Sequence, residues 1–219
     1  MKVILCQEAL RQILKWTQRA FLAGGILLLG YCAFILTDAG LFQRRAARDL
    51  DRLRRDPRAA ARVTPQPVAV TLPRAEPVAE GSLIGRIEIS RLALSVMVVE
   101  GDDKISLQRA VGHIPGTALP GEDGNVGLAG HRDTFFRPLK DLKINDEIQI
   151  STRTGNFKYQ IVSLRIVDPE NVGVLAPSGE NVLTLVTCYP FYFIGAAPQR
   201  WIVRARQVSP ETVTRANVK

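Results

Sequence analysis

From residue 82 onward, apolar and polar residues alternate over short stretches that turn residues separate. Arg86–Ser90 reads RIEIS, Glu147–Ser151 reads EIQIS, and Trp201–Arg206 follows the same alternation less strictly. A period of two is typical of strands that bury one face. Further strands are predicted at four more segments: Ala93–Glu100, Asn125–Ala129, Phe157–Val167 and Val182–Cys188. Seven or eight short strands with one helix near Lys104–Val111 predict an all-β barrel or sandwich.

A different pattern occupies the N-terminal part of the chain. Ala20–Thr37 contains 18 residues without a charge. A helix of that length reaches roughly 27 Å, enough to cross the hydrocarbon core of a membrane. A cleaved signal peptide is the alternative, but this apolar run is longer than a usual signal core and no clean small-x-small cleavage site follows it. We therefore predict an uncleaved single-pass anchor at 20–37, after a cytoplasmic tail at 1–19.

The region between the anchor and the strands divides into two parts. Residues 38–56 mix Leu with Arg and Asp, which predicts a helical juxtamembrane stalk, either solvated or in contact with anionic headgroups. Prolines recur through 57–81, a composition typical of an extended linker that buries no core. The folded domain is expected at 82–208, followed by a C-terminal tail at 209–219.

The charge distribution bears on partners and on topology. The chain has 219 residues and a formal net charge of +8. Residues 1–81 carry 13 Lys/Arg against 7 Asp/Glu, whereas residues 82–219 carry 16 against 14, a net charge of only +2. The folded part therefore lacks the basic surplus of a nucleic-acid-binding face, and we exclude that class. The arginines that follow the anchor would place the domain in the cytoplasm by the positive-inside rule.

The cysteines point to catalysis rather than to metal or disulfides. Cys6, Cys32 and Cys188 are scattered, there is no Cys-x-x-Cys pair, and the chain has only two histidines. Cys188 ends the apolar segment TLVTC, His131 ends GNVGLAGHR, and Arg200 begins the final strand. Taken singly, each of the three fits a structural role. Together they provide a thiolate nucleophile, an imidazole general acid and base, and a forked cation for an oxyanion.

The sequence around these residues resembles a known family. TLVTC with a downstream Arg, preceded by AGHRDTFF and GHIPGTALPGEDGN, is similar to the sortases, and GHRDTFFRPL and TLVTCYPF look most like class D. The resemblance covers about residues 82–207. It implies a membrane-anchored cysteine transpeptidase with an eight-stranded β-barrel, one or two short helices, and Cys188, His131 and Arg200 as the catalytic set.

The resemblance also implies substrates and location. Sortases cleave a Leu-Pro-x-Thr-Gly-like signal near the C-terminus of a protein substrate, hold a thioester acyl-enzyme, and pass the acyl group to an amine acceptor. The domain would then lie outside the cytoplasm, against the arginine count, and would attach proteins to the cell surface, with anchoring favoured over pilus polymerisation. No cofactor or metal is required, and calcium binding is left open.

Several assignments depend on the fold. Thr187 and Asp133 are candidate substrate-binding residues, and Asp133 is also a candidate to orient the imidazole. His113 is predicted to be structural, in a tight loop beside Pro115 and Gly116. The loop 169–181 is expected to shape the groove for the sorting signal. A hydrolytic cysteine peptidase and a non-catalytic membrane-tethered β-barrel remain alternatives.

Overall fold

The computed structural model describes residues 2–55, with side chains from residue 11, and residues 78–208. The predicted tail at 209–219, and the predicted linker apart from 78–81, lie outside these ranges. The first helix, α1, spans Lys2–Arg55 without interruption. The chain forms two compact units, one ending at Leu41 and the other beginning at Phe42.

The first unit is helical and exposes its apolar side chains. Phe21, Leu29 and Leu36 are 79%, 71% and 75% exposed. Within the described ranges, one helix is long and apolar enough to cross a membrane, judged by its length and composition. The predicted anchor at 20–37 lies on this helix.

The second unit is a closed eight-stranded β-barrel, so the predicted fold class is confirmed. Around the barrel the strands follow the order β1-β2-β3-β4-β7-β8-β6-β5. The pairs β2/β3 and β4/β7 are parallel, and the other neighbours are antiparallel. The strands are β1 Leu83–Ile89, β2 Leu94–Glu100, β3 Val111–His113, β4 Asn125–Ala129, β5 Glu147–Thr152, β6 Asn156–Val167, β7 Val182–Tyr189 and β8 Gln199–Val208.

The barrel is filled by the apolar positions of the alternating strands. In β4 and β7, the inward side chains are fully or almost fully buried: Val126, Leu128, Leu183 and Leu185. Because successive side chains of a strand point to opposite faces, Ala129, Val186 and Cys188 lie on the outer face of the same wall. The side chains from which chemistry is expected are therefore outside the core.

The short strand β3 is where the sequence prediction is wrong. The predicted helix extends to Val111, whereas the helix, α2, spans Lys104–Arg109 and Val111 begins β3. A strand of three residues is too short to show a period, and its conformation depends on pairing with β2 and β4. His113 ends β3 rather than lying in a tight loop, is 2% exposed, and places Nδ1 2.7 Å from Glu100 Oε2.

The end of α1 corrects the prediction of a solvated stalk. Leu50 is 1% exposed and packs with Ala46 and with Met97 of β2. Gln43 joins the same contact, because its Oε1 accepts a hydrogen bond of 2.8 Å from the Met97 backbone N–H. At the last turn, Arg54 Nη2 donates to Asn156 Oδ1 at 2.6 Å. Residues 42–55 therefore belong to the folded unit.

Candidate active site

Cys188 lies near the end of β7 on the outer face of the barrel. It is half-buried and its thiol is free. The antiparallel ladder between β7 and β8 pairs Cys188 with Arg200, and directly paired residues project to the same face. One neighbour of the thiol is thus set by strand register alone.

His131 comes to the other side of Cys188. The parallel ladder between β4 and β7 pairs Ala129 with Val186, and the Gly130 N–H continues it by donating to the Val186 carbonyl at 3.1 Å. His131 follows Gly130 directly, so the loop that carries it leaves β4 at the end of β7 at which Cys188 lies. There the chain turns, because the His131 carbonyl accepts hydrogen bonds from the backbone N–H groups of two later residues of the turn.

Cys188 and Arg200 are thus paired across β7 and β8, and His131 lies on the loop that follows β4, the neighbour of β7 on its other side. The Arg200 guanidinium is half-buried, and its Nη1 donates to the carbonyls of Ala197 and Gln199 at 3.2 and 3.0 Å. These bonds use one of its three nitrogens and hold the side chain against the connection that leads into β8. A peptide lying across the outer face of β7 and β8 would meet the Cys188 sulfur and the Arg200 guanidinium.

Thr187 does not take the predicted place of a substrate contact. Its side chain points inward and is 3% exposed. Its hydroxyl donates to the Gly130 carbonyl at 2.7 Å. Thr187 therefore joins β7 to the end of β4, one residue before His131.

Asp133 does not lie against the imidazole as a hydrogen-bond partner. Its two carboxylate oxygens accept hydrogen bonds from Arg132, from Nε at 3.0 Å and from Nη2 at 2.9 Å. Arg137 contacts the same carboxylate at 3.5 Å. The hydrogen bond from Arg132 lowers the pKa of Asp133 below its ordinary value, and the charges of Arg132, Arg137 and His131 lower it further.

Arg132 is the residue at this site that the sequence reasoning missed. An arginine after a strand normally indicates a surface position, and no period or spacing marks this one as different. In the structure Arg132 is only 6% exposed. Besides its contacts with Asp133, its Nη1 donates to the Pro190 carbonyl at 2.8 Å, two residues past the thiol.

The segment 168–181 runs over the outer face of β4 and β7. Asn125 on β4 is 3% exposed, and its Nδ2 donates to the carbonyls of Val174 and Ala176 at 3.1 and 3.2 Å. The Thr184 hydroxyl donates to Asn125 Oδ1 at 2.7 Å and fixes the orientation of the amide. The segment is therefore held beside the strand face that leads to Cys188, as a groove wall requires.

Three aromatic rings from the end of β7, the start of β8 and the connection between them pack against the barrel core. Tyr189 stacks on Trp201 with ring centroids 5.8 Å apart, and Phe191 meets both rings edge-on. Further along the connection to β8, Tyr192 and Ile194 are 73% and 97% exposed. Across the residues that the structure describes, no group of three or more His, Cys, Asp or Glu side chains is arranged to hold a metal ion.

Fold and site together define a closed β-barrel with a free thiol on its outer face, paired with an arginine of the next strand. Residues 87–208 match the family model of the Sortase domain. Over 189 residues the chain is 30% identical to Sortase D of Bacillus subtilis (strain 168), covering 86% of this chain and 96% of that protein. The chain belongs to the sortase family of cysteine transpeptidases, and the resemblance to class D is confirmed.

Solved structures agree with this assignment. A Clostridium perfringens Sortase D5 transpeptidase shares 27% identity with a TM-score of 0.64, over 76% of this chain and 98% of that chain. Sortase A from Corynebacterium diphtheriae shares 31% identity with a TM-score of 0.57, over 62% and 65% of the two chains. The likeness therefore extends across the whole barrel.

Proposed function

We propose that this chain cleaves a Leu-Pro-x-Thr-Gly-like sorting signal after the Thr and transfers the new acyl group to an amine, attaching proteins to the cell surface. In this reaction Cys188 is the nucleophile, His131 the general acid and base, and Arg200 the donor to the oxyanion. The observation that carries the proposal is the strand register, which supports His131 and Arg200 as the two outer-face neighbours of Cys188.

The proposed chemistry proceeds in two halves. The Cys188 thiolate forms a C–S bond with the Thr carbonyl carbon, and the C–N bond breaks as imidazolium His131 protonates the departing Gly amine. An acceptor amine then attacks the thioester and gives a proton back to His131, while the sulfur leaves as thiolate. Arg200 stabilises the negative oxygen of each tetrahedral intermediate. One peptide bond is exchanged for another, with no redox change.

The experiment traps the acyl-enzyme. Full-length protein in detergent micelles is mixed with a peptide containing Leu-Pro-x-Thr-Gly, quenched in acid, and examined by mass spectrometry. We expect an adduct on Cys188 ending at Thr, and new amide product when triglycine is added. Cys188→Ala abolishes the adduct, whereas the matched control Cys32→Ala, which removes a thiol from the apolar segment of α1, keeps it.

Two outcomes contradict the proposal. An adduct that persists in Cys188→Ala would place the nucleophile elsewhere. An acyl-enzyme that yields only free acid at saturating triglycine would make the protein a hydrolytic peptidase. The mass of the adduct also reports on the scissile position, since an acyl fragment that does not end at Thr would assign a different bond.

The second part of the proposal concerns topology. We infer that α1 anchors the chain and that the barrel lies outside the cytoplasm. The arginine-rich flank after the anchor would favour a cytoplasmic barrel, but this region also contributes to folding. Asp51 forms an ion pair of 3.5 Å with Arg86, and Arg54 donates a hydrogen bond to Asn156. A membrane-impermeant maleimide applied to intact cells should label Cys188, and labelling only after lysis would reverse the orientation.

A further inference from the structure

Two loops meet at the proposed site, and one buried guanidinium joins them. The first loop follows β4 and carries His131; the second follows Cys188 and contains Pro190. Arg132 belongs to the first loop and donates from Nη1 to the Pro190 carbonyl of the second at 2.8 Å. Its other two nitrogens make a forked pair with Asp133, at 3.0 and 2.9 Å. All three nitrogens of a 6% exposed side chain are thus engaged.

The Arg132–Asp133 pair also places charges near Cys188 and His131. The interactions of Arg132 include attraction to the Cys188 charge, and those of Asp133 include attraction to the His131 charge. Arg132 therefore supplies a positive charge within reach of the sulfur, and Asp133 supplies a negative charge within reach of the imidazole. In general, a positive charge near a sulfur favours the thiolate, and a negative charge near an imidazole favours the imidazolium.

We propose that Arg132 is a positioning residue for this reaction: its guanidinium ties the turn after Cys188 to the loop carrying His131, and its pair with Asp133 biases the two toward thiolate and imidazolium. The inference rests on the function proposed above. Arg132 acts through Cys188 and His131, and it is distinct from Arg200, which lies on the opposite side of Cys188 in the strand register.

The ionisation of the pair supports this role. The hydrogen bond with Asp133 raises the pKa of Arg132 above its ordinary value, and the charges of Asp133 and Cys188 raise it further. Both members of the pair therefore stay charged across the pH range in which a thiol and an imidazole titrate. The other charged or titratable groups of the loop 131–142, the segment 168–181 and the connection 189–200 are Arg137, Lys140, Asp141, Asp168, Glu170, Glu180, Tyr189, Tyr192 and Arg200.

The test follows Cys188 reactivity with pH, which a purely structural role would not shift. In a full-length background lacking Cys6 and Cys32, the rate of iodoacetamide alkylation of Cys188 is measured from pH 5 to 10. We expect Arg132→Gln to move the midpoint up by about 1 pH unit, because the thiolate loses a nearby positive charge. Asp133→Asn should move it down by about half a unit, because the Arg132 charge is no longer neutralised.

Two further variants separate charge from geometry. Arg132→Lys keeps the positive charge but loses the paired hydrogen bonds of the guanidinium to Asp133. Its midpoint of Cys188 alkylation should therefore lie between those of the parent and Arg132→Gln. Arg206→Gln is the matched control, since it breaks an Arg–Glu contact of 3.0 Å at the opposite end of the β7/β8 ladder and should leave the midpoint unchanged. In thioester formation, Arg132→Gln should lower kcat about tenfold with KM within about twofold, since Arg132 acts on the charged pair and not on the peptide.

The outcomes distinguish this inference from the proposed function. Midpoints that move in the same direction for Arg132→Gln and Asp133→Asn, or by less than about 0.2 unit in both, overturn the positioning role. If Arg132→Gln does not fold, Asp133→Asn decides alone, because that side chain is 60% exposed and its loss leaves no buried gap. A parent protein that forms no thioester at all overturns the proposed function instead.

Discussion

Truncation of Leu50 tests whether the end of α1 belongs to the folded unit. Leu50 is 1% exposed and packs against Ala46 and Met97. Leu50→Ala removes three carbons, worth about 2.4 kcal/mol in transfer free energy. The cavity left behind adds to this, and changes of this kind cost about 2–5 kcal/mol in protein cores. The site borders an open cleft lined by Leu53 and Leu83, which lets it relax, so we expect about 2.5 kcal/mol.

The assay is urea unfolding of the full-length protein in detergent micelles. The chain has two tryptophans, so a Trp16→Phe background leaves Trp201 of the barrel as the only tryptophan reporter. Leu53→Ala is the matched control, because the same atoms are removed from the same helix at a side chain that is 39% exposed. The control should cost about 1 kcal/mol, since part of that surface is already in water.

A local measurement accompanies the global one. The Met97 N–H donates to Gln43 Oε1, so undocking of the helix end should speed its hydrogen exchange in Leu50→Ala. Equal losses of stability for Leu50→Ala and Leu53→Ala, with unchanged exchange at Met97, would refute the docking. The prediction of a solvated stalk would then stand.

Two further substitutions test the site and the acid stability of the barrel. Thr187→Val removes the hydroxyl that bonds to the Gly130 carbonyl, and it should cost about 1–2 kcal/mol in urea unfolding and also slow thioester formation. Destabilisation with an unchanged rate would deny Thr187 any influence on His131. Asp146 accepts hydrogen bonds from Arg91, which lower its pKa, so the ionised carboxylate is favoured in the folded state. The contribution of the ionised Asp146 to the free energy of unfolding is complete above the ordinary carboxyl pKa of about 3.9. It disappears as the pH falls through the lower pKa of the folded state. Asp146→Asn should therefore cost about 1 kcal/mol at pH 7 and almost nothing near pH 2, and a difference that does not change with pH would contradict this linkage.

Sequence periodicity predicted most of the barrel because each long strand buries one face. Asn125–Ala129 is predicted with the same bounds that β4 has, and Val182–Cys188 falls one residue short of β7. Periodicity does not predict the three-residue strand β3, since its conformation depends on pairing with β2 and β4. Periodicity also does not predict the buried face of residues 42–55. The arginines and aspartates around Leu50 give this segment the composition of an exposed helix, although Leu50 makes an apolar contact with the barrel.

The candidate site was likewise predicted only in part. Residue types and their order pointed to Cys188, His131 and Arg200, because few side chains can act as nucleophile, proton carrier and oxyanion donor. The partners of those groups could not be read in this way. Thr187 turns inward and Asp133 pairs with Arg132, since strand parity and a turn decide where each side chain points.

Local composition thus specifies an apolar helix, a set of half-buried strands and a candidate thiol, because burial patterns and residue types can be read from single segments. The neighbours of that thiol are a property of the closed barrel. Antiparallel pairing of β7 with β8 places Arg200, 12 positions away in the chain, opposite Cys188. Parallel pairing of β4 with β7 brings the loop of His131, 57 positions away, to the same end of β7. Closing the barrel also buries Arg132 between two loops, where an arginine that the sequence presents as a surface charge becomes a link between them.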